Sequence, residues 1–85
     1  MTITENDVLD GLREVLAEVS GTDPDKVVPA ARFDFHLDVD SLSMVEVVVA
    51  CEERFGVRIP DEALEDLGTV GDAVSYILTA AAVPA

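Results

Sequence analysis

Apolar positions recur at helical spacing along most of this chain. Val8, Leu12, Val15, Leu16 and Val19 fall at i, i+4, i+7, i+8 and i+11, one face of a helix of about four turns. Thr4 with Asp7 makes a capping pair ahead of it, and Gly21 is a natural stop. From Gly21 to Asp40 the periodicity fails. Thr22-Asp-Pro-Asp25 and Val28-Pro29 impose turns, while Phe33 and Leu37 are placed to pin a long loop to the core. A structureless connection of this length in a small domain is uncommon and tends to be functional. A second helix is expected from about Ser41 to Phe55, ended by Gly56, with Val57-Arg-Ile59 as an extended link. Pro60-Asp-Glu62 opens a short helix whose apolar side is Ala63, Leu64 and Leu67, closed by Gly68. Thr69-Val-Gly-Asp72 repeats the cap-then-acid signature before a last stripe of Val70, Val74, Ile77 and Leu78. The expected fold is all-α: a small four-helix bundle with a long first loop and a short third helix. Residues 1–85 form one domain, folded over about 4–79, with 80–85 as a flexible tail.

The second helix carries two apolar stripes. Met44, Val47, Val48, Cys51 and Phe55 gather on one side, and Leu42, Val45 and Val49 on nearly the opposite side. Glu46 and Glu53 accompany the second stripe, with Glu52 at its edge. A helix in a small bundle needs one buried stripe, so the second is either sandwiched or exposed. Burying unpaired glutamates is costly, which favours an exposed docking face made of Leu42, Val45, Glu46, Val49 and Glu53.

Composition narrows the partners. The 85 residues are 49% hydrophobic, enough for a packed core, but such a core typically yields only about 3–5 kcal/mol. The single cysteine, Cys51, excludes an internal disulfide, and no Cys/His cluster offers a zinc site. Five Lys+Arg against 18 Asp+Glu give a net charge of −13. That charge argues against nucleic acid and anionic membranes and for protein partners with basic patches. No apolar run is long enough to span a bilayer, and the acidic N-terminus lacks the order of a signal peptide. A cytoplasmic, monomeric domain is the expectation.

Candidate chemistry concentrates at Asp40-Ser41-Leu42, where a hydroxyl stands at a loop-to-helix junction. Free backbone N–H groups and the helix dipole there favour a phosphate on the Ser41 oxygen. Ser and Asp are also ordinary N-caps, and Ser43 with Glu46 fits a capping box, so the helix has more than one possible start. A hydrolase built on His36 and Ser41 lacks a Gly-x-Ser-x-Gly elbow and a Gly-rich oxyanion hole. A calcium loop starting at Asp38 fails because Leu42 and Ser43 occupy its fifth and sixth positions. Cys51 lies on the Met44 stripe and reads as a small buried hydrophobe rather than a reactive thiol.

Leu37-Asp-Val-Asp-Ser-Leu-Ser-Met-Val-Glu46, Glu52-Glu-Arg-Phe-Gly-Val-Arg-Ile-Pro-Asp-Glu62 and Thr69-Val-Gly-Asp72 together resemble an acyl carrier protein over essentially the whole chain. The resemblance is to the free-standing carriers of bacterial type II fatty acid and polyketide synthases, in their actinobacterial style. It implies no enzyme but a carrier, with phosphopantetheine from coenzyme A attached covalently to Ser41, between Asp40 and Leu42. Acyl intermediates would ride on the terminal thiol as thioesters, sheltered between the helices near Val48, Leu64 and Leu67. The implied partners are a phosphopantetheinyl transferase, a ketosynthase, an acyltransferase and reductases. Fatty acid biosynthesis is the first expectation and a type II polyketide synthase the alternative. Phe35 and His36 stand where many such carriers have acidic or small polar residues. An acidic adaptor without a prosthetic group, binding through Leu42, Val45 and Val49, is the reading from a different class.

Overall fold

Thr4 and Asp7 start the first helix as expected. Thr4 Oγ1 accepts the Asp7 amide at 3.2 Å and Asp7 Oδ2 accepts the Thr4 amide at 3.0 Å. In the computed structural model, which describes residues 3–82, helix α1 then runs Glu5–Ser20. It buries Val8, Leu12, Val15 and Leu16, while Val19 is half-buried. Gly21 ends it at φ 66°, a left-handed conformation that favours glycine, and donates to Ala17 O at 3.2 Å. Helix α2 spans Ser41–Phe55 and α3 spans Val70–Ala82. The short helix between them, Asp61–Asp66, is a 3-10 helix that buries Ala63. These are the four helices expected, and no strand occurs among the described residues. Helix α1 packs against both α2 and α3. A Cβ at Gly11 would collide with the Phe55 ring, so the glycine sets how closely α1 meets the end of α2.

Helix α3 departs from expectation at its end. It continues to Ala82, so the boundary expected at 79 falls inside the helix, and 83–85 lie outside the described residues. An alanine-rich stretch has the highest intrinsic helix propensity and adds turns readily once α3 is started. Its start is capped by Thr69 and Asp72, whose side chains and amides exchange hydrogen bonds at 3.1 and 3.2 Å.

The connection between α1 and α2 is more ordered than its missing periodicity implied. It holds a short 3-10 turn, Pro24–Lys26, capped by Asp23, and it buries Val27, Ala31, Phe33, Leu37 and Val39. Its backbone is stitched to the start of α3. The Val70 amide donates to Ala31 O at 2.9 Å and the Gly71 amide to Pro29 O at 2.9 Å. The Phe33 amide donates to Gly68 O at 3.2 Å, and Arg32 pairs with Thr69 in an isolated antiparallel bridge. Two donors that the first turn of α3 cannot satisfy internally are thereby met by the loop. Arg13 Nε reaches Val27 O at 3.2 Å and ties the other side of the loop to α1. At the far end of α2, the half-buried Glu52 accepts the Ile59 amide at 2.9 Å, which fixes the extended link and buries Ile59.

Phe33 is 3% exposed and joins the loop to the core. Phe33→Ala should remove about 3–5 kcal/mol, as much as a core of this size typically supplies. Urea titration followed by circular dichroism should find the variant largely unfolded in buffer. A midpoint near the parent's would show that the loop is not held by this side chain.

Candidate functional site

The loop delivers the chain to α2 through a turn at Asp38, whose φ of 53° is a left-handed conformation uncommon outside glycine. Leu37 and Val39 are buried on either side of it, and the Val39 amide donates to Phe33 O at 2.8 Å. Asp40 follows as the N-cap of α2, its Oδ1 accepting the Ser43 amide at 2.8 Å. That bond, followed by one from the Ser43 hydroxyl, holds the Asp40 carboxyl below the usual carboxylate range. Of the starts compatible with the sequence, α2 uses the earliest. Ser41 is therefore the first helical residue, exposed, with its hydroxyl released from capping.

Beside Ser41 opens a cleft of ≈ 230 Å³. Asp34, Asp40 and Ser41 supply its polar wall, and Phe33, Val39, Met44, Leu64 and Leu67 its apolar wall, with Gly68 at the edge. Both carboxylates are engaged, Asp34 by the Arg32 guanidinium and Asp40 by Ser43. Phe33, Met44 and Leu67 are shared with a second, interior cavity that reaches Leu12, Cys51 and Ile77. Its volume is only ≈ 10 Å³ and its lining is almost wholly apolar, so it is a packing defect rather than a water site. Val48, grouped with Leu64 and Leu67 from the sequence, lines this inner space and not the cleft beside Ser41.

The outer side of α2 is exposed as the interleaved glutamates implied. Leu42 is 74% exposed, Val45 47% and Val49 48%, with Glu46 and Glu53 exposed among them. The opposite stripe buries Val47, Val48 and Cys51, with Met44 and Phe55 half-buried.

The chain matches the family described as "Phosphopantetheine attachment site" over residues 10–77. It is 55% identical over 80 residues to an acyl carrier protein of Acidothermus cellulolyticus, covering 94% of this chain and 95% of that one. It is 49% identical to the meromycolate extension acyl carrier protein of Mycolicibacterium smegmatis, over 91% of this chain and 78% of that one. A solved structure of the acyl carrier protein from Enterococcus faecalis superposes with a TM-score of 0.75 at 32% identity, covering 92% of this chain and 99% of the other. The chain belongs to the acyl carrier protein family.

Its prosthetic group is covalently attached phosphopantetheine, which sets aside the adaptor that would bind partners without one. The carrier's own residues suit such a group. An exposed hydroxyl stands on the first turn of a helix, an end whose dipole favours a phosphate, and the adjacent cleft has an apolar wall. Its relatives are carriers rather than catalysts, and acyl carrier proteins work with synthase enzymes. Burial pushes the Cys51 thiol up to about 12, so this sulfur stays protonated and does not compete as an acyl acceptor. Among the described residues no group of three or more His, Cys, Asp or Glu is placed to hold a metal ion, and no helix is long and apolar enough to cross a membrane. Sequence reasoning missed Asp34, Val39 and Gly68, which join the cleft only through the loop's path and its hydrogen bonds to the start of α3.

Because the Asp40 carboxyl is depressed in the folded carrier, its charge stabilises the fold above the unfolded carboxylate range, and that contribution is lost as pH falls through the lower, folded value. Asp40→Asn keeps a capping oxygen but no charge. Its melting temperature should lie below the parent's at neutral pH and converge with it in acid. A gap independent of pH would place the effect in packing instead.

Proposed function

We propose that this carrier serves type II fatty acid biosynthesis as a cytoplasmic monomer and not as an enzyme, with its phosphopantetheine on Ser41. The thiol of the bound arm holds acyl intermediates as thioesters. The observation that carries the reading is the first turn of α2, where Asp40 does the capping and leaves the Ser41 hydroxyl exposed beside the cleft. Ser41 needs no base of its own, because a phosphopantetheinyl transferase supplies the activation.

The apolar wall of the cleft, and the apolar packing defect behind it, support a hydrocarbon cargo over a polyketone. Met44, Phe33 and Leu67 lead from the cleft to a space walled by Val47, Val48 and Ile77, with few polar atoms to receive carbonyl groups. Burying an unpaired carbonyl there costs about 1–3 kcal/mol on protein scales, whereas each methylene gains about 0.8 kcal/mol. The inner space is closed to a chain as packed, so Met44, unbranched and half-buried, has to move for a chain to enter. Relatives named for meromycolate extension are consistent with lipid synthesis.

Ser41→Ala should melt like the parent, since it removes no cap, yet accept no phosphopantetheine and support no elongation. The parent, loaded and supplied with malonyl groups, should be extended by a type II fatty acid ketosynthase with its acyltransferase and reductases. Extension only by a polyketide ketosynthase would transfer the carrier to that pathway, and loading of the alanine variant would move the attachment site.

The exposed side of α2 is the proposed docking face for those enzymes. Glu46→Lys should slow association with a ketosynthase and flatten its salt dependence, because rim charges act mainly on encounter. Val45→Asp should cost more affinity, since it puts a charge at the centre of the contact. Both should keep parent-like circular dichroism. Parent-like binding by both variants would remove this face from the interface.

A further inference from the structure

At 78%, Phe35 is the most exposed large apolar side chain among the described residues. It is also held in place. The Arg32 guanidinium lies over its ring, with Cζ 5.6 Å from the centroid. The same group donates to both oxygens of Asp34, Nε to Oδ1 at 3.1 Å and Nη2 to Oδ2 at 3.3 Å. Asp34 Oδ1 in turn accepts the Phe35 amide at 2.8 Å. His36 completes the turn: its Nδ1 accepts the Arg32 amide at 2.8 Å, and its own amide donates to Arg32 O at 3.0 Å. The ion-paired hydrogen bond keeps the Asp34 carboxyl below and the Arg32 guanidinium above their usual ranges, as a standing contact would.

An exposed ring contributes little to the core, and a cation–π contact in water is too weak to account for leaving it there. A ring whose backbone and one face are already fixed loses little further freedom when a partner covers it. That is the property of an interface anchor. Its neighbour points to the partner. Asp34, the neighbour that holds the Phe35 amide, lines the Ser41 cleft. A ketosynthase that grips the outer side of α2 meets the far end of a long arm and need not cover the Asp34 side of the cleft. The enzyme that modifies Ser41 has to close over it.

We propose that Phe35 is an aromatic anchor for the phosphopantetheinyl transferase and determines which transferase accepts this carrier. The proposal rests on Ser41 as the attachment site. In that reaction Ser41 Oγ bonds to the phosphorus that bears pantetheine in coenzyme A. The P–O bond to the adenosine half breaks, and the hydroxyl proton passes to a base on the transferase. The chemistry of the contact differs from that of α2. Arg32 is paired with Asp34, so the exposed feature of this turn is the Phe35 ring, on a chain whose net charge is −13. The matching transferase surface is an apolar pocket, set beside the basic patch that meets Glu46 and Glu53.

The test measures loading of the full chain by the transferase from the same genome, with coenzyme A, over a range of carrier concentrations. Phe35→Ala should raise KM for the carrier about tenfold or more, with kcat within about twofold. Phe35→Tyr should restore it. Once driven to full loading, the alanine variant should serve the ketosynthase with the parent's KM, and its melting temperature should match the parent's. Parent-like loading, an equal loss with the ketosynthase, or a lowered melting temperature would each overturn the proposal. If the parent itself takes no group from the transferase, or takes it elsewhere than Ser41, the attachment assignment fails and the proposal falls with it.

Discussion

Phe33 sits in the core while its amide holds Gly68 O and its carbonyl accepts the Val39 amide. Through that one residue the long first connection is joined to the core, to the start of α3 and to the segment that enters α2. Irregular backbone has many alternatives, and ordering it costs about 1–2 kcal/mol per residue. Five buried apolar side chains, from Val27 to Val39, and the carbonyls of Pro29 and Ala31 offset that cost. The loop in return completes the cap of α3. Site and fold are therefore mutually dependent, since the segment that presents Ser41 also closes the bundle.

Helix α2 divides its surface between core and solvent. Its inner stripe of Val47, Val48 and Cys51 contributes to a core with little stability to spare, while Leu42, Val45 and Val49 remain in water. Leaving three apolar residues exposed is tolerable because the glutamates around them, on a chain of net charge −13, oppose self-association. The same charges attract a basic surface. In the Arg32–Phe35 turn the cation is paired with Asp34, and the exposed group is the Phe35 ring.

Most of the helical frame was legible because it rests on local signals. Thr4 with Asp7, Gly21, Gly56 and Thr69 with Asp72 each act within one turn of their own position, and all are found where expected. The start of α2 was not decidable in the same way, because Asp40, Ser41 and Ser43 are all competent caps and only the loop's approach selects Asp40. The cleft was half legible. Leu64 and Leu67 follow from a local apolar pattern, whereas Asp34, Val39 and Gly68 meet through the Arg32–Thr69 bridge and its hydrogen bonds, which join residues distant in sequence. Residues 80–82 continue α3 because the helix propensity of alanine outweighs the low complexity of that stretch. Ser41 itself stood out through resemblance to a family, since Asp-Ser-Leu alone describes an ordinary helix start.

The hydroxyl spared from capping is the one proposed to bear the prosthetic group. Incubation of the whole chain with coenzyme A and the transferase, followed by fragmentation mass spectrometry of the intact product, addresses it directly. One phosphopantetheine per chain is expected, carried on Ser41, with Ser20, Ser43, Ser75 and Cys51 unmodified. A group found on Ser43 or Cys51, or spread over several hydroxyls, would contradict it.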